Sequence, residues 1–310
     1  MNISYEIISY IPSCRILKLC TSDSEIHVRI LRNQYYQKIH KFSINYQNPL
    51  SLIYSRTKYT GENALQQIID LYDELYNSEI IYCSNKSINE IPILPLLEKL
   101  YCINNLLEEI PVLPLLEKLY CSNNKLVEIP VLPLLKTLYC MNNKLVKIPV
   151  LPLLTELDCS NNLLKEIPVM PLLTGLACSN NQLKEIPVIP SLTGLACSNN
   201  QLKEIPVIPS LTELYCSNNQ LEEIPVLPLL KKLYCGKNLL TEIPVLPLLE
   251  ELHCSNNQLK KIHDLQLLNT LICNDNPLEL ILNLPSLKTI ISNKKDIRFI
   301  NANLHSVKNH

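Results

Sequence analysis

Residues 116–133 read L-E-K-L-Y-C-S-N-N-K-L-V-E-I-P-V-L-P, and variants of this string fill most of the 310-residue chain. Its cysteine is the marker, because cysteines recur every 19 residues and Ser292 occupies the next equivalent position. The marked positions are Cys83, Cys102, Cys121, Cys140, Cys159, Cys178, Cys197, Cys216, Cys235, Cys254 and Cys273. A fixed period near twenty residues is typical of stacked coils. The sequence therefore predicts a solenoid over residues 79–292.

From Cys102 to Cys273, each coil repeats the same slots relative to its cysteine. Leu stands five and two residues before it, Asn three after, Leu five after and Ile eight after; around Cys121 these are Leu116, Leu119, Asn124, Leu126 and Ile129. The spacing of Leu and Cys has the period of two that marks a strand, so we expect both side chains to point inward from a short parallel strand. We expect the asparagines to satisfy backbone groups at the turn and to form a ladder between coils.

The string L-x-x-L-x-C-x-x-N-x-L resembles the signature of leucine-rich repeat proteins, with Cys at a position usually held by Leu. The resemblance implies an α/β solenoid of horseshoe shape, with parallel strands on its concave side. On the convex side, Ile-Pro-x-x-Pro at 129–133 predicts an extended, polyproline-like return, because proline cannot continue a helix. This short, Pro-rich version is similar to the repeats of bacterial effectors injected into host cells. It also resembles repeat proteins of giant, mimivirus-like DNA viruses of amoebae.

The segments on either side of the repeats are predicted to be caps. Residues 1–78 read as a small α-helical N-terminal cap region, in which a helix beginning near Asn63 covers the first coil. Residues 293–310 read as a C-terminal cap and tail.

Residues 3–20 have a second interpretation. The runs Ile8-Ser9-Tyr10-Ile11-Pro12 and Ile16-Leu17-Lys18-Leu19-Cys20 resemble the second half of an F-box. That resemblance implies a substrate receptor that recruits a Skp1-like adaptor of ubiquitin ligases. The alternative is that these residues only help to seal the first coil.

Composition argues against several classes of partner. The chain has 28 Lys and Arg interspersed with 29 Asp and Glu, so we expect no nucleic-acid binding. No apolar stretch approaches the roughly 18 residues that span a bilayer, so we expect no membrane partner. The first twenty residues do not resemble a secretory signal, and 13 cysteines then favour a reducing compartment. We expect the cytosol, which is the host cytosol if the protein is viral, or the nucleus.

Sites for chemistry are not indicated. The cysteine column reads as core thiols, since metal sites need short pairs such as C-x-x-C and the chain has none. With only four glycines, no phosphate-binding loop is apparent. We therefore expect a non-enzymatic protein without cofactor or metal.

The residues three before, one before and one after each cysteine should form the concave face, where we expect a protein or peptide to bind. Tyrosines offer large contact areas at low entropic cost. Small residues are predicted to form a shallow hollow between tyrosine rows and acidic side chains. The alternative is that recent duplication copied these residues and that the tyrosines stabilise only the sheet. The candidate binding residues are Tyr101, Tyr120, Tyr139, Glu156, Asp158, Gly175, Ala177, Gly194, Ala196, Glu213, Tyr215, Tyr234 and His253.

Overall fold

The computed structural model describes residues 77–302, except Pro92 and Lys295. In this part of the chain each coil contributes one short strand to a large sheet, and the last coils contribute a second strand to a smaller one. The strands are β1 (Ile80–Tyr82), β2 (Lys99–Tyr101), β3 (Lys118–Tyr120), β4 (Thr137–Tyr139), β5 (Glu156–Asp158), β6 (Gly175–Ala177), β7 (Gly194–Ala196), β8 (Glu213–Tyr215), β9 (Lys232–Tyr234), β10 (Glu251–His253), β11 (Lys261–His263), β12 (Thr270–Ile272), β13 (Leu280–Leu284), β14 (Thr289–Ile291) and β15 (Arg298–Ala302). Twelve of them form one sheet in the order β1 to β10, β12 and β14.

All neighbours in this sheet are parallel and shifted by one repeat. Leu119 of β3, for example, lies opposite Leu138 of β4. The central Leu or Ile of each strand in this sheet and the Cys or Ser two positions later are buried, whereas the residues between them are not. The predicted parallel solenoid is therefore confirmed.

The apolar slots of successive coils merge into one continuous core. In the coil around Cys121, the buried members are Leu116, Leu119, Leu126, Ile129 and Leu132. The cysteines Cys83 to Cys273 are buried in the same core and carry free thiols, as predicted. Burial raises the pKa of the Cys235 thiol to about 12.

The asparagine ladder joins each coil to its neighbour. Asn124 Nδ2 donates to the carbonyl oxygens of Cys121, at 2.9 Å, and of Cys102 in the preceding coil, at 3.0 Å. Asn124 Oδ1 accepts a hydrogen bond from the Leu107 N–H at 3.0 Å. The equivalent asparagines make the same bonds as far as Asn276. Because these groups are poorly solvated, the ladder fixes the spacing of the coils.

The residue before each ladder asparagine has a left-handed backbone conformation. Asn123 has a φ of 57°, and nearly all the equivalent positions hold Asn or Asp. These residue types tolerate that conformation better than most others. The pair Asn-Asn in the repeat therefore combines a turn residue with a ladder residue.

The convex side of the described coils contains no helix, which confirms that the coils return through extended segments and turns. A second parallel sheet, β11–β13–β15, begins on this side near the end of the solenoid. His263 in β11 and Leu282 in β13 occupy the slot that holds proline in earlier coils, such as Pro244. Proline lacks the N–H that a strand ladder needs, so convex pairing starts where the prolines stop.

The structure describes part of the predicted C-terminal cap but not the predicted N-terminal helix. The N-terminal helical cap and the F-box-like residues 3–20 lie outside the described residues. Ser292 follows β14 in the cysteine slot and is buried, as expected for a final, degenerate coil. Within the region expected to be a C-terminal cap, β15 pairs with β13 and extends the convex sheet.

Candidate binding surface on the concave face

The strands bring all thirteen candidate binding residues onto one face. In each strand of the large sheet, the first and third residues point away from the core while the central residue is buried. Successive strands are hydrogen-bonded in register, so the same slot recurs at about 4.8 Å spacing. The concave face therefore consists of two columns of side chains whose chemistry changes along the solenoid.

Four tyrosines from the first four strands form a continuous aromatic row. Ring centroids are 4.6 Å apart for Tyr82 and Tyr101 and 4.6 Å for Tyr101 and Tyr120, and both pairs are stacked. Tyr120 and Tyr139 meet edge to face at 5.1 Å. The end members Tyr82 and Tyr139 are the most open, with 52% and 38% of their surface exposed. The row therefore presents ring edges and hydroxyls to solvent, while the inner ring faces cover one another.

The predicted hollow lies over β6 and β7, where the outward residues are Gly175, Ala177, Gly194 and Ala196. It is only half open. The Glu156 carboxylate occupies the space that a Cβ on Gly175 would need, and Glu156 Oε1 accepts a hydrogen bond from Thr174 Oγ1 at 3.3 Å. A Cβ on Gly194 would meet no atom within 4 Å. The open floor of the hollow is therefore Gly194 and its neighbours.

The carboxylates at the edge of the hollow differ in their partners. Asp158 Oδ1 accepts the Ser160 N–H at 3.0 Å. Among the described residues, neither Asp158 nor Glu156 forms an ion pair. Glu213, on the other side, does: Lys232 Nζ lies 2.9 Å from Glu213 Oε1, and this bond lowers the pKa of Glu213. The β5 side of the hollow thus carries two carboxylates without a cation.

A second aromatic cluster follows the hollow. Ring centroids are 4.8 Å apart for Tyr215 and Tyr234 and 3.9 Å for Tyr234 and His253. Tyr215 donates to Glu213 Oε2 at 3.2 Å, and Tyr234 donates to Glu251 Oε1 at 2.5 Å. The bond to Glu251 is the main reason why the pKa of Tyr234 is raised to about 12. His253 Nε2 lies 2.9 Å from the same Glu251 oxygen in an orientation that makes no hydrogen bond.

Sequence reasoning missed the network that orders this cluster. Lys232 and Glu251 lie in the first-residue column of β9 and β10, between candidate residues. Lys232 binds the Glu213 carboxylate, and Glu251 accepts a hydrogen bond from the Tyr234 hydroxyl. Opposite charges at the same slot of neighbouring strands, as in Glu213, Lys232 and Glu251, were the available signal.

In the described part of the chain, no three His, Cys, Asp or Glu side chains are grouped so that they could hold a metal ion. Among the described residues there is also no helix long and apolar enough to cross a membrane.

Comparison with known proteins identifies the repeat. A family profile for leucine-rich repeats (2 copies) matches residues 114–153 and 190–229. No curated protein sequence matches the chain.

Solved structures with the same fold include two bacterial proteins. YopM from Yersinia enterocolitica WA-314 is 31% identical, with a TM-score of 0.56 over 69% of this chain and 53% of that chain. The functional domain of InlJ from Listeria monocytogenes, described as including a cysteine ladder, is 28% identical, with a TM-score of 0.64 over 76% of this chain and 65% of that chain. This chain therefore spans less than two thirds of either structure.

A plant peptide hormone receptor, RGFR1 in complex with RGF2, shares the fold at 21% identity, with a TM-score of 0.54 over 74% of this chain and 51% of that chain. The column of buried cysteines provides a specific point of likeness to InlJ. Together with the asparagine ladder and the one-strand coils, these matches show that the described residues form a leucine-rich repeat solenoid similar to the repeats of YopM.

Proposed function

We propose that the chain is a protein-interaction scaffold whose concave face holds an extended segment of a partner protein. Leucine-rich repeat domains generally mediate protein–protein interaction. The observation that carries the proposal is the open hollow at Gly194, which lies between two ordered aromatic clusters on a rigid sheet. Rigid aromatic anchors around a depression are typical of the centre of a protein interface.

The dimensions of this surface favour a short extended segment. Tyr120 and Tyr215 are separated by five strand spacings, which amount to about 24 Å. An extended chain covers about 3.3 Å per residue, so about seven residues would reach from one cluster to the other. A segment of this length would place its ends against the tyrosines and would cross the hollow between them.

The charges around the hollow favour a basic side chain at the middle of that segment. Glu156 and Asp158 lack a cation among the described residues, whereas Glu213 is already paired with Lys232. The shallow floor of Ala and Gly leaves room above these carboxylates. A Lys or Arg of the partner would gain charge-assisted hydrogen bonds there.

The test is affinity capture from cytosol with quantitative mass spectrometry. The binding variant combines Tyr120→Ser, Tyr139→Ser and Tyr215→Ser, and a control variant combines Lys125→Ala, Lys144→Ala and Gln201→Ala at exposed turn positions. We expect one set of proteins to be captured by the wild type and the control and lost with the binding variant. Circular dichroism must show that the binding variant remains folded.

The alternative explanation, that duplication alone produced the concave residues, gives a different result. Stacking and edge-to-face contacts of tyrosines contribute about 0.5–1.5 kcal/mol per pair, so the row could serve only the stability of the sheet. In that case the binding variant would unfold at lower denaturant concentration but would capture the same proteins as the wild type.

Recruitment of a Skp1-like adaptor remains the second candidate function, and it stays a prediction from residues 3–20. Recovery of such an adaptor in the capture experiment, and its loss when Ile11, Leu17 and Leu19 are changed to Asp, would support it. Residence in the cytosol or nucleus and the resemblance to giant-virus proteins likewise stay predictions.

A further inference from the structure

The convex side carries an exposed apolar column that neither the core nor the concave face uses. In nine successive coils the residue ten positions after the cysteine is Ile or Val, and between 49% and 59% of its surface is exposed. We call this column the convex ribbon. Its members are Ile93, Val112, Val131, Val150, Val169, Val188, Val207, Val226 and Val245.

Neighbouring apolar residues widen the convex ribbon. In the coil of Val131, Pro133 and Leu134 are also exposed, and equivalent leucines in most coils expose 37–48% of their surface. The largest apolar patch on an ordinary monomer measures about 300–600 Å², and each partner in a stable interface buries about 800 Å². The nine half-exposed Ile and Val residues, with their flanking leucines and prolines, expose an apolar area comparable to one side of such an interface. The nine residues follow one another without a gap from coil to coil.

The apolar column ends where the convex backbone changes. In the next two coils the same slot holds Asp264 and Asn283, which have left-handed conformations with φ of 58° and 52°, and Asn283 Nδ2 donates to Asp264 Oδ1 at 2.8 Å. Other exposed slots have diverged between coils: the slot six after the cysteine holds Glu108, Val127 and Lys165 in three of them. The Ile and Val residues have therefore been retained in coils that changed at other exposed positions.

An acidic column runs beside the convex ribbon. In the same nine coils, the residue seven positions after the cysteine is a glutamate in eight coils and Lys147 in the other. The glutamates are Glu90, Glu109, Glu128, Glu166, Glu185, Glu204, Glu223 and Glu242. From Glu109 onward these carboxylates are exposed, and no ion pair within the described residues involves them. Lys165, Lys184 and Lys203 lie nearby in the adjacent slot but are outnumbered. Like charges stacked at one coil spacing destabilise the free protein, so a cationic partner would relieve this repulsion.

The spacing of the column matches an α-helix. Coils repeat at about 4.8 Å, and a helix has a pitch of about 5.4 Å, so four turns drift by only about 2 Å. Alternate residues of an extended strand are about 6.7 Å apart and would lose register after two coils. A helix lying along the ribbon can therefore place one apolar residue per turn beside each valine.

We propose that the convex ribbon binds a basic amphipathic α-helix of a partner protein, with its apolar face on the valines and its Lys or Arg side chains along the glutamate column. A second copy of the chain fits less well. If two ribbons met in antiparallel orientation with valine on valine, the glutamate columns would also face each other. This surface is on the opposite side from the concave face and does not depend on the function proposed for that face.

The test uses two synthetic 18-residue helical peptides with the same leucine positions, one filled with lysine and the other with glutamate. An 18-residue helix is about 27 Å long and covers about five coils. Binding to the full chain is measured by fluorescence anisotropy at 0.15 M salt. We expect the Leu/Lys peptide to bind at least about tenfold more tightly than the Leu/Glu peptide.

Three variants locate the binding. Val131→Ser, Val150→Ser and Val169→Ser together should weaken the Leu/Lys peptide by about tenfold or more, whereas the three-tyrosine variant of the concave face should leave it unchanged. Glu109→Lys with Glu128→Lys and Glu166→Lys should weaken the Leu/Lys peptide and strengthen the Leu/Glu peptide. Light scattering of each protein gives its oligomeric state.

Three results would overturn the proposal. The first is equal affinity for the two peptides, and the second is Leu/Lys binding that is lost with the tyrosine variant instead of the valine variant. The third is a wild-type dimer that the valine variant converts to a monomer, because the ribbon would then be a contact between two copies.

Discussion

The carboxylate of Glu156 lies over the open face of Gly175 on the adjacent strand, in the position that a Cβ at residue 175 would take. Gly194, one strand further at the same register, faces open space instead. Two glycines with nearly identical sequence surroundings therefore have different roles. Gly175 makes room for an acidic side chain, and Gly194 forms the floor of the hollow.

This difference predicts that the same substitution stabilises the protein at Gly194 but not at Gly175. Val is favoured in strands and Gly is not, so Gly194→Val should raise the free energy of unfolding by about 0.5–1 kcal/mol. Gly175→Val must first displace the Glu156 side chain, so it should give little or no gain. Urea unfolding of both variants checks this; equal stabilisation would mean that Glu156 does not lie on Gly175.

Asn181→Ala should destabilise the solenoid strongly. Asn181 Nδ2 donates to the carbonyls of Cys178 and Cys159 at 3.0 and 3.1 Å, and its Oδ1 accepts the Leu164 N–H at 3.0 Å. Leaving these backbone groups unpaired should cost about 3 kcal/mol. Gln201→Ala, at an exposed turn position, is the control, and similar shifts of the urea midpoint in both variants would contradict the ladder's role.

The cysteine column should be chemically inert in the native protein. Burial raises the pKa of Cys197 and Cys235 to about 12, and the thiolate is the reactive form. With Ellman's reagent at pH 8, the eleven column thiols should react only as fast as the protein unfolds, and all 13 should react in denaturant. Cys14 and Cys20 lie outside the described residues, so rapid reaction of more than two native thiols would contradict this prediction.

The ion pair between Glu213 and Lys232 should make stability depend on acid pH. Lys232 lowers the pKa of Glu213, so the unfolded chain takes up a proton at this group before the folded one does. The stabilisation is thus complete at neutral pH and is lost as pH falls below about 4, through the lowered pKa.

The change that tests this is Glu213→Gln. Both side chains are about 40% exposed, with 43% for Lys232 and 41% for Glu213, so solvent limits the effect to about 1 kcal/mol at low salt. The stability difference between wild type and variant, measured by urea unfolding, should shrink on acidification. A difference that stays constant down to pH 3 would show that the pair does not stabilise the fold.

The repeat fixes the parts of the fold that every coil must share. The strands, the buried Leu and Cys slots and the asparagine ladder could be predicted because every coil has to fill them, as the coil around Cys121 does. A coil that left them empty would create a void or unpaired backbone groups next to its neighbours. The convex sheet could not be predicted with the same ease. The loss of proline at His263 reads as decay of the repeat until the pairing with Leu282 is seen.

The concave face was predictable by slot but not by conformation. Period-two alternation places Tyr120, Glu156 and Gly194 on one surface. It does not say that the Glu156 side chain bends over Gly175, that Tyr139 turns edge-on, or that Glu213 is already paired. These features depend on rotamers and on neighbours one strand away, which a slot pattern does not encode. The convex ribbon had a usable signal, since one slot held only Ile or Val in nine coils.

The most direct test of the scaffold account is the dissociation constant of a captured partner for the wild type and for Gly194→Val. The valine fills the hollow while leaving the tyrosine clusters and the fold in place, so we predict binding weakened by about tenfold or more in a protein that is more stable than the wild type. Gln201→Val, at an exposed turn position outside the concave face, serves as the control for introducing a valine. Unchanged affinity in Gly194→Val would contradict the assignment of the partner to the concave face.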